Sequence, residues 1–266
     1  MLSLLEKPCA GIFIQLARVY THAFKPAVVQ IMEVFIVGAA HRLGSSVIKA
    51  SEIEESFAKE PGTIQGLCGV SQLHKIAPHE DLVSLAAEAC VDVLREAGMP
   101  IQMVSGIFSS CNPTTDYLIP SLAPLVAARL GLSHIAACNV GMGCAGGVQA
   151  LQAVYNQLIV DSRNNKKSYY LLVTGDHTSR MLDKSSWKTA ILFSDGVSAS
   201  LVTNDPQMTG GFTVHRVSSE TYAGESVDVI NLPNALAQQD GEGKATYQLH
   251  MRGRGVFEFG TRIVPR

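Results

Sequence analysis

The sequence predicts a layered α/β fold built around a largely parallel β-sheet. Apolar segments of strand length alternate with helical segments long enough to be crossovers, the usual pattern of a sheet covered by helices. Residues 169–174 are apolar throughout, as expected of a central strand covered on both faces. The 266 residues are 47% hydrophobic and 17% charged, enough for one large or two ordinary domains with a full core.

The first 31 residues are apolar with a few scattered charges. No apolar core followed by a small-residue cleavage site is present, which argues against a secretory signal. A basic organelle-targeting segment is one alternative. The other, slightly favoured, is that folding begins at Met32, because residues 33–38 are predicted to form a strand. The expected organisation is an extension at 1–31, an N-terminal half at 32–205 and the start of a C-terminal half at 206–266.

The next elements follow from capping and periodicity. Ser51 and Glu54 fit a capping box, which predicts a short helix to about residue 59, whereas residues 62–80 are expected to be irregular. Residues 81–97 form the clearest amphipathic helix, with Gly98 as its stop signal. A strand at 104–109 and a helix at 120–130 are expected next.

No Lys, Arg, Asp or Glu occurs from residue 130 to residue 160. The glycines and amides of this stretch argue against a membrane span and predict a buried strand, a tight glycine turn and a buried helix. Cys144 is placed on the turn, where the free N–H groups and dipole of the following helix stabilise a thiolate. Cys144 is therefore a candidate nucleophile, the alternative being a small core residue.

The C-terminal third has weaker patterns. Residues 193–202 predict a turn into a strand, and residues 210–217 and 247–251 predict two further strands. A polar loop is expected at 232–243, and a helix begins near residue 256.

Composition excludes several classes of function. The net charge is −2 with no basic cluster, which argues against nucleic-acid binding. The six cysteines show neither CxxC spacing nor histidines at zinc spacing, so no metal and no cofactor are expected. Free thiols indicate a reducing, cytoplasmic compartment.

Four stretches together resemble the β-ketoacyl-acyl-carrier-protein synthase III family of the thiolase-like superfamily. They are the nucleophile segment at 139–147, the Ser-Asp-Gly-Val strand entry at 194–200, the Pro-Ser and Arg-Leu-Gly residues around the helix at 120–131, and the Met-Arg-Gly helix entry at 251–259. The resemblance implies a thiolase-like layered α-β-α-β-α fold with the first half complete and the second half truncated. It covers residues 33–266.

The resemblance also implies a chemistry for Cys144. It would accept an acyl group from an acyl-carrier protein or acyl-coenzyme A thioester, and the protein would then condense that group with a malonyl-carrier thioester in fatty acid or polyketide synthesis. Gly143, Ala145 and Gly146 would leave room for the substrate. Ile119 would enter the acyl tunnel of the other subunit in a homodimer, or in a heterodimer with a homologue.

Two departures from the family pattern bear on function. None of the eight histidines lies in the family's His-x-x-Asn context, so the residues that promote condensation are expected to be missing. Residues 62–72 lack the Trp and Arg that coenzyme A-binding members carry there. Two alternatives stay open: a catalytically incompetent subunit that acts as a structural partner, and a cysteine hydrolase with His177 as its base.

Overall fold

The computed structural model describes residues 33–112, 114–141, 143–183, 185–208, 211–220, 229–232 and 248–263. The extension predicted at residues 1–31 lies outside this part, as does nearly all of the polar loop predicted at 232–243.

The described strands and helices, numbered along the chain, alternate as predicted. The strands are β1 (Val34–Leu43), β2 (Ser46–Lys49), β3 (Gln72–Lys75), β4 (Gly106–Ser110), β5 (Ala136–Asn139), β6 (Tyr169–Asp176), β7 (Gly196–Thr203), β8 (Phe212–Val214), β9 (Ile230–Asn231) and β10 (His250–Met251). The helices are α1 (Ala50–Ser56), α2 (Thr63–Cys68), α3 (Leu82–Glu96), α4 (Leu122–Arg129), α5 (Gly146–Arg163), α6 (Trp187–Ala190) and α7 (Gly253–Ile263).

A six-stranded sheet with the order β5-β4-β6-β7-β1-β8 forms the centre of the fold. β4 is parallel to β5 and β6, whereas β7 is antiparallel to both β6 and β1. The predicted largely parallel sheet is therefore correct only for β4, β5 and β6. The link between β6 and β7 contains only a 3₁₀ turn and the four-residue α6, too little for a crossover helix, so β7 returns beside β6 in the opposite direction.

Both faces of the sheet carry a hydrophobic core, because side chains alternate along each central strand. Leu171 and Val173 of β6 belong to the cluster under α3 and α4. Tyr170 and Leu172 of the same strand belong to the opposite cluster, under α5. The result is a three-layer α/β/α arrangement.

The helix α3 confirms the clearest sequence prediction. Asp81 is its N-cap and accepts a hydrogen bond from the Ser84 N–H at 2.8 Å. Its buried residues, among them Leu85, Ala89 and Val93, recur at helical spacing and pack against the sheet.

The segment between β1 and α3 corrects two predictions. The capping box at Ser51 is wrong, because α1 already begins at Ala50 and the Lys49 N–H donates to Glu52. Glu54 is instead buried and accepts from the N–H groups of Gly62 and Ile64 at 2.9 and 2.7 Å. It thereby satisfies free donors at the start of α2. Residues 62–80 are accordingly not irregular: they contain α2 and the strand β3, which pairs with β2.

The strand before Cys144 is not buried as predicted. β5 lies at the edge of the sheet, and the side chains of Ala136 and Cys138 are exposed. The following helix α5 buries one face through Ala150, Val154 and Leu158. Apolar composition alone does not distinguish an edge strand from a central one.

The last described elements are short. β8 adds to the sheet beside β1, and β9 pairs with β10 in a separate two-stranded sheet. α7 begins at Gly253, three residues before the predicted start. None of the helices in the described ranges combines the length and apolarity that crossing a bilayer requires.

Candidate active site

Cys144 lies on the turn that links β5 to α5, and its side chain is exposed. Gly141 and Gly143 both have φ +73°, a left-handed conformation that glycine adopts without steric cost. The Gly146 N–H donates to the Gly143 carbonyl at 3.1 Å, and Ala145 is the N-cap of α5. The exposed thiol therefore belongs to the residue before the N-cap of α5.

The glycines of this turn have different surroundings. A Cβ at Gly141 would overlap the Gln149 side-chain oxygen and would lie 3.1 Å from Gly146 Cα. A Cβ at Gly146 would overlap Ser110 Oγ, and Gly146 is itself buried. A Cβ at Gly143 would meet nothing within 4 Å. Gly141 and Gly146 thus allow the turn to pack on the strand ends, whereas Gly143 and Ala145, on either side of Cys144 in the chain, are exposed.

The carboxyl ends of three parallel strands meet beneath this turn. Asn139, at the end of β5, accepts from Ser109 Oγ at 2.7 Å, and its amide nitrogen donates to the carbonyls of Cys111 and Gly141, both at 3.4 Å. Asn139 thus links the ends of β4 and β5 to the turn from beneath it.

A second amide, Asn112, connects the end of β4 to the same turn. Its backbone N–H and its side-chain Nδ2 donate to the two carboxylate oxygens of Asp176 at 2.6 and 2.9 Å. Its side-chain Oδ1 accepts from the Gly143 N–H at 3.1 Å. Sequence analysis missed this residue, although one signal was available: Asn112 and Asp176 each follow a parallel strand, and such ends gather at one edge of a sheet.

Burial dominates the electrostatics of the groups around Asp176. It raises the pKa of the Asp176 carboxyl, and the hydrogen bonds from Asn112, Cys111 and Thr114 only partly offset this. Burial, together with the charge of Asp176, raises the pKa of Cys111 to about 12, and burial raises that of Cys90 to about 12. Both thiols are therefore poor nucleophiles near neutral pH.

His177, the candidate hydrolase base, lies against Asp195. Its Nε2 is 3.6 Å from Asp195 Oδ2, and burial lowers the pKa of the imidazole more than the Asp195 charge raises it. Within the described ranges, His177 makes no hydrogen bond to Cys144. Asp195 also accepts from the Ile76 N–H and from the N–H and hydroxyl of Ser179. Asp195 thereby joins three segments of the chain.

Ile119 lies on a loop before α4 and is 87% exposed. Its neighbours Tyr117 and Leu118 are also exposed, and the peptide bond between Ile119 and Pro120 is cis. The predicted insertion of Ile119 into another subunit stays a prediction.

No three His, Cys, Asp or Glu side chains are grouped as metal ligands in the part of the chain that the structure describes.

A family model described as 3-oxoacyl-[acyl-carrier-protein] synthase III matches residues 138–221, from Cys138 through the turn with Cys144 to the segment after β8. The beta-ketoacyl-[acyl-carrier-protein] synthase III 1 of Deinococcus radiodurans is 29% identical over 222 residues. The chain is therefore similar to the 3-oxoacyl-acyl-carrier-protein synthase III family, both in this segment and over most of its length.

Other comparisons show the same similarity. The beta-ketoacyl-[acyl-carrier-protein] synthase III 2 of Lactiplantibacillus plantarum is 27% identical over 86% of this chain. The crystal structure of 3-oxoacyl-(acyl carrier protein) synthase III from Pseudomonas aeruginosa is similar with a TM-score of 0.71, at 25% identity over 85% of this chain and 66% of that one. The priming β-ketosynthase of the R1128 polyketide pathway, at 17% identity and a TM-score of 0.72, shares the fold.

The match spans about three fifths to two thirds of the family relatives. It covers 82% of this chain but 61% of the Deinococcus protein, and 69% of the Lactiplantibacillus protein. The described sheet with its flanking helices is thus the part of the thiolase-like fold that carries the turn with Cys144.

Proposed function

We propose that the protein is an acyltransferase of the β-ketoacyl synthase type in which Cys144 accepts an acyl group from a thioester donor. The observation that carries the proposal is the exposed thiol on a glycine turn immediately before α5, within the segment that matches the synthase family. The relatives are named as synthases acting with acyl-carrier protein.

The proposed step is a thioester exchange. The Cys144 thiolate attacks the donor's carbonyl carbon, the resulting tetrahedral oxyanion collapses, and the bond to the donor's sulfur breaks, so that the donor leaves as a thiolate and takes up a proton from water. Among the described residues, none accepts a hydrogen bond from the Cys144 N–H, which leaves this donor free for the oxyanion. Gly143, Ala145 and Gly146 are proposed to leave space around the sulfur for the thioester.

The full reaction would then condense the acyl group with a malonyl-carrier thioester, releasing CO₂. Ile119 is proposed to reach the acyl tunnel of a second subunit, in a homodimer or in a heterodimer with a homologue. Its 87% exposure in one chain and its apolar neighbours support such a contact.

A second candidate function is acylation without condensation. The exposed thiol supports it, because exposure gives a thioester donor access to Cys144 whether or not the chain condenses the acyl group. A chain that is acylated but does not condense would hold an acyl group, or support the fold of an intact homologue, as a partner subunit.

Intact-protein mass spectrometry after incubation with acyl-coenzyme A or acyl-carrier-protein donors tests the proposal. We expect one acyl adduct in the wild type, none in Cys144→Ala, and an unchanged adduct in the matched control Cys138→Ala, whose thiol is also exposed. Buried Cys90 and Cys111 should stay unmodified. Adding malonyl-carrier thioester then separates the two functions: release of a β-ketoacyl product supports the synthase, and a stable adduct supports the acyl-holding subunit. No adduct from any donor would refute the acyltransferase.

A further inference from the structure

Gly143 is held by hydrogen bonds on both sides. Its N–H donates to Asn112 Oδ1 at 3.1 Å, and its carbonyl accepts from the Gly146 N–H at 3.1 Å. That carbonyl shares a peptide plane with the Cys144 N–H. The orientation of the Cys144 N–H therefore depends on how firmly Gly143 is held.

Packing does not hold Gly143 in place. Nothing lies within 4 Å of the position that its Cβ would occupy, and its φ of +73° belongs to a residue with wide conformational freedom. The two hydrogen bonds are thus the main restraint on the residue that precedes Cys144.

We infer that Asn112, oriented by Asp176, is a positioning residue that sets the direction of the Cys144 N–H through Gly143. The inference rests on the proposed function, since the direction of that N–H affects a rate only if Cys144 is acylated.

The geometry leaves Asn112 a single orientation. Asp176 receives hydrogen bonds from the Asn112 N–H, from Asn112 Nδ2 and from the Thr114 hydroxyl, at 2.6, 2.9 and 3.3 Å. A carboxylate accepts and does not donate, so the Asn112 amide must turn its NH₂ towards Asp176 and its oxygen towards Gly143. Thr114 is 1% exposed and also accepts from the His177 N–H, which holds the Asp176 side of the network inside the protein.

Exchanging the two side chains supplies a sharp test. In Asn112→Asp, two carboxylates face each other. In Asp176→Asn, the NH₂ group of the new amide faces either the backbone N–H or the side-chain Nδ2 of Asn112, whichever way the new amide is turned, so two donors oppose each other. The double exchange, Asn112→Asp with Asp176→Asn, restores each bond: the new aspartate accepts from Gly143 and from the new amide, whose oxygen accepts the backbone N–H of residue 112.

The rate of Cys144 acylation at saturating donor is the first readout. Each single variant should lower it by about 10- to 100-fold, the cost of misplacing a reacting group, and the double exchange should recover most of the loss. Alkylation of Cys144 by iodoacetamide needs no oriented N–H and should stay close to the wild-type rate. All rates are compared at their high-pH plateaus, where the thiol is fully ionised, because Asn112→Asp places a carboxylate nearer the thiol and so disfavours the thiolate at lower pH. Asp183→Asn is the matched control and should change neither rate, because within the described ranges the Asp183 carboxylate accepts hydrogen bonds from Ser185 alone.

Hydrogen exchange of the Gly143 amide, followed by NMR, is a readout that does not need activity. Its protection should fall in each single variant and return in the double exchange. If the wild type is never acylated, the proposed function fails and this exchange pattern alone decides the inference. Should a single variant fail to fold, Asn112→Ala, which creates no facing charges, replaces it. Single variants that keep acylation and Gly143 protection, or a double exchange no better than the singles, would overturn the inference.

Discussion

Substitution of Gly143 or Gly141 by alanine separates backbone strain from packing within one turn. Both residues have φ +73°, so both variants bear the same conformational cost. Only the surroundings differ, because a Cβ at Gly143 meets nothing within 4 Å whereas one at Gly141 overlaps the Gln149 side-chain oxygen and lies 3.1 Å from Gly146 Cα.

The two costs follow from these contacts. An alanine in the left-handed region costs about 1–2 kcal/mol, which is the whole effect expected for Gly143→Ala. Gly141→Ala adds overpacking against the backbone of Gly146, worth about 1–3 kcal/mol. The free energy of unfolding should therefore fall by about 1–2 kcal/mol in the first variant and by about 2–5 kcal/mol in the second.

Urea unfolding followed by circular dichroism measures both values, with an unchanged m-value as the sign that the same structure unfolds. Gly141→Ala/Gln149→Ala is the control: removing the Gln149 side chain should recover part of the packing cost and none of the backbone cost. Equal losses in the two single variants would refute the described packing of the turn. A loss well above 2 kcal/mol in Gly143→Ala would contradict the open space beside that residue.

Two further predictions concern buried carboxylates. Asp195 is fully buried and accepts three hydrogen bonds from backbone and hydroxyl donors. Asp195→Asn should lower the free energy of unfolding by about 1–3 kcal/mol, because one donor is left facing the new NH₂ group, and Asp195→Ala should lower it by more. Urea unfolding measures both losses, and equal losses would contradict the network. Asp205 and Asp176 should respond to pH with opposite signs. Burial alone would raise the pKa of Asp205, but hydrogen bonds from Lys167 and Tyr169 outweigh it and hold the pKa below the ordinary 3.8. The stabilisation of the fold by Asp205 is therefore present above pH 3.8 and is lost as the pH falls through the lowered pKa. The pKa of Asp176 is instead raised in the folded protein, so its contribution to the free energy of unfolding is fully present below pH 3.8 and is lost as the pH rises through the folded-state pKa. Unfolding of Asp205→Asn and Asp176→Asn across pH, each against the wild type, checks both signs, and parallel curves for the two variants would contradict them.

Local sequence patterns correctly predicted those elements whose buried positions follow the spacing of their own apolar residues. α3 combines an N-cap, an apolar face and a glycine stop, and it forms as expected. Residues 169–173 of β6 are apolar and buried, and the strand lies inside the sheet with both faces covered. Residues 62–80 escaped prediction because α2 and β3 are short, and α2 is stabilised by Glu54 from outside its own sequence.

The sequence by itself determined that a cysteine stands on a glycine turn between a strand and a helix, because chain order, glycine and the absence of charge are local properties. The tertiary structure decided which groups surround that turn. Asn112 and Asp176 are 64 residues apart and meet only because β4 and β6 run parallel as neighbours, which brings their carboxyl ends to one edge. β5 is an edge strand for a similar reason: its neighbours are set by pairing between distant segments, and hydrogen bonds between strands leave no mark in the local order of residues.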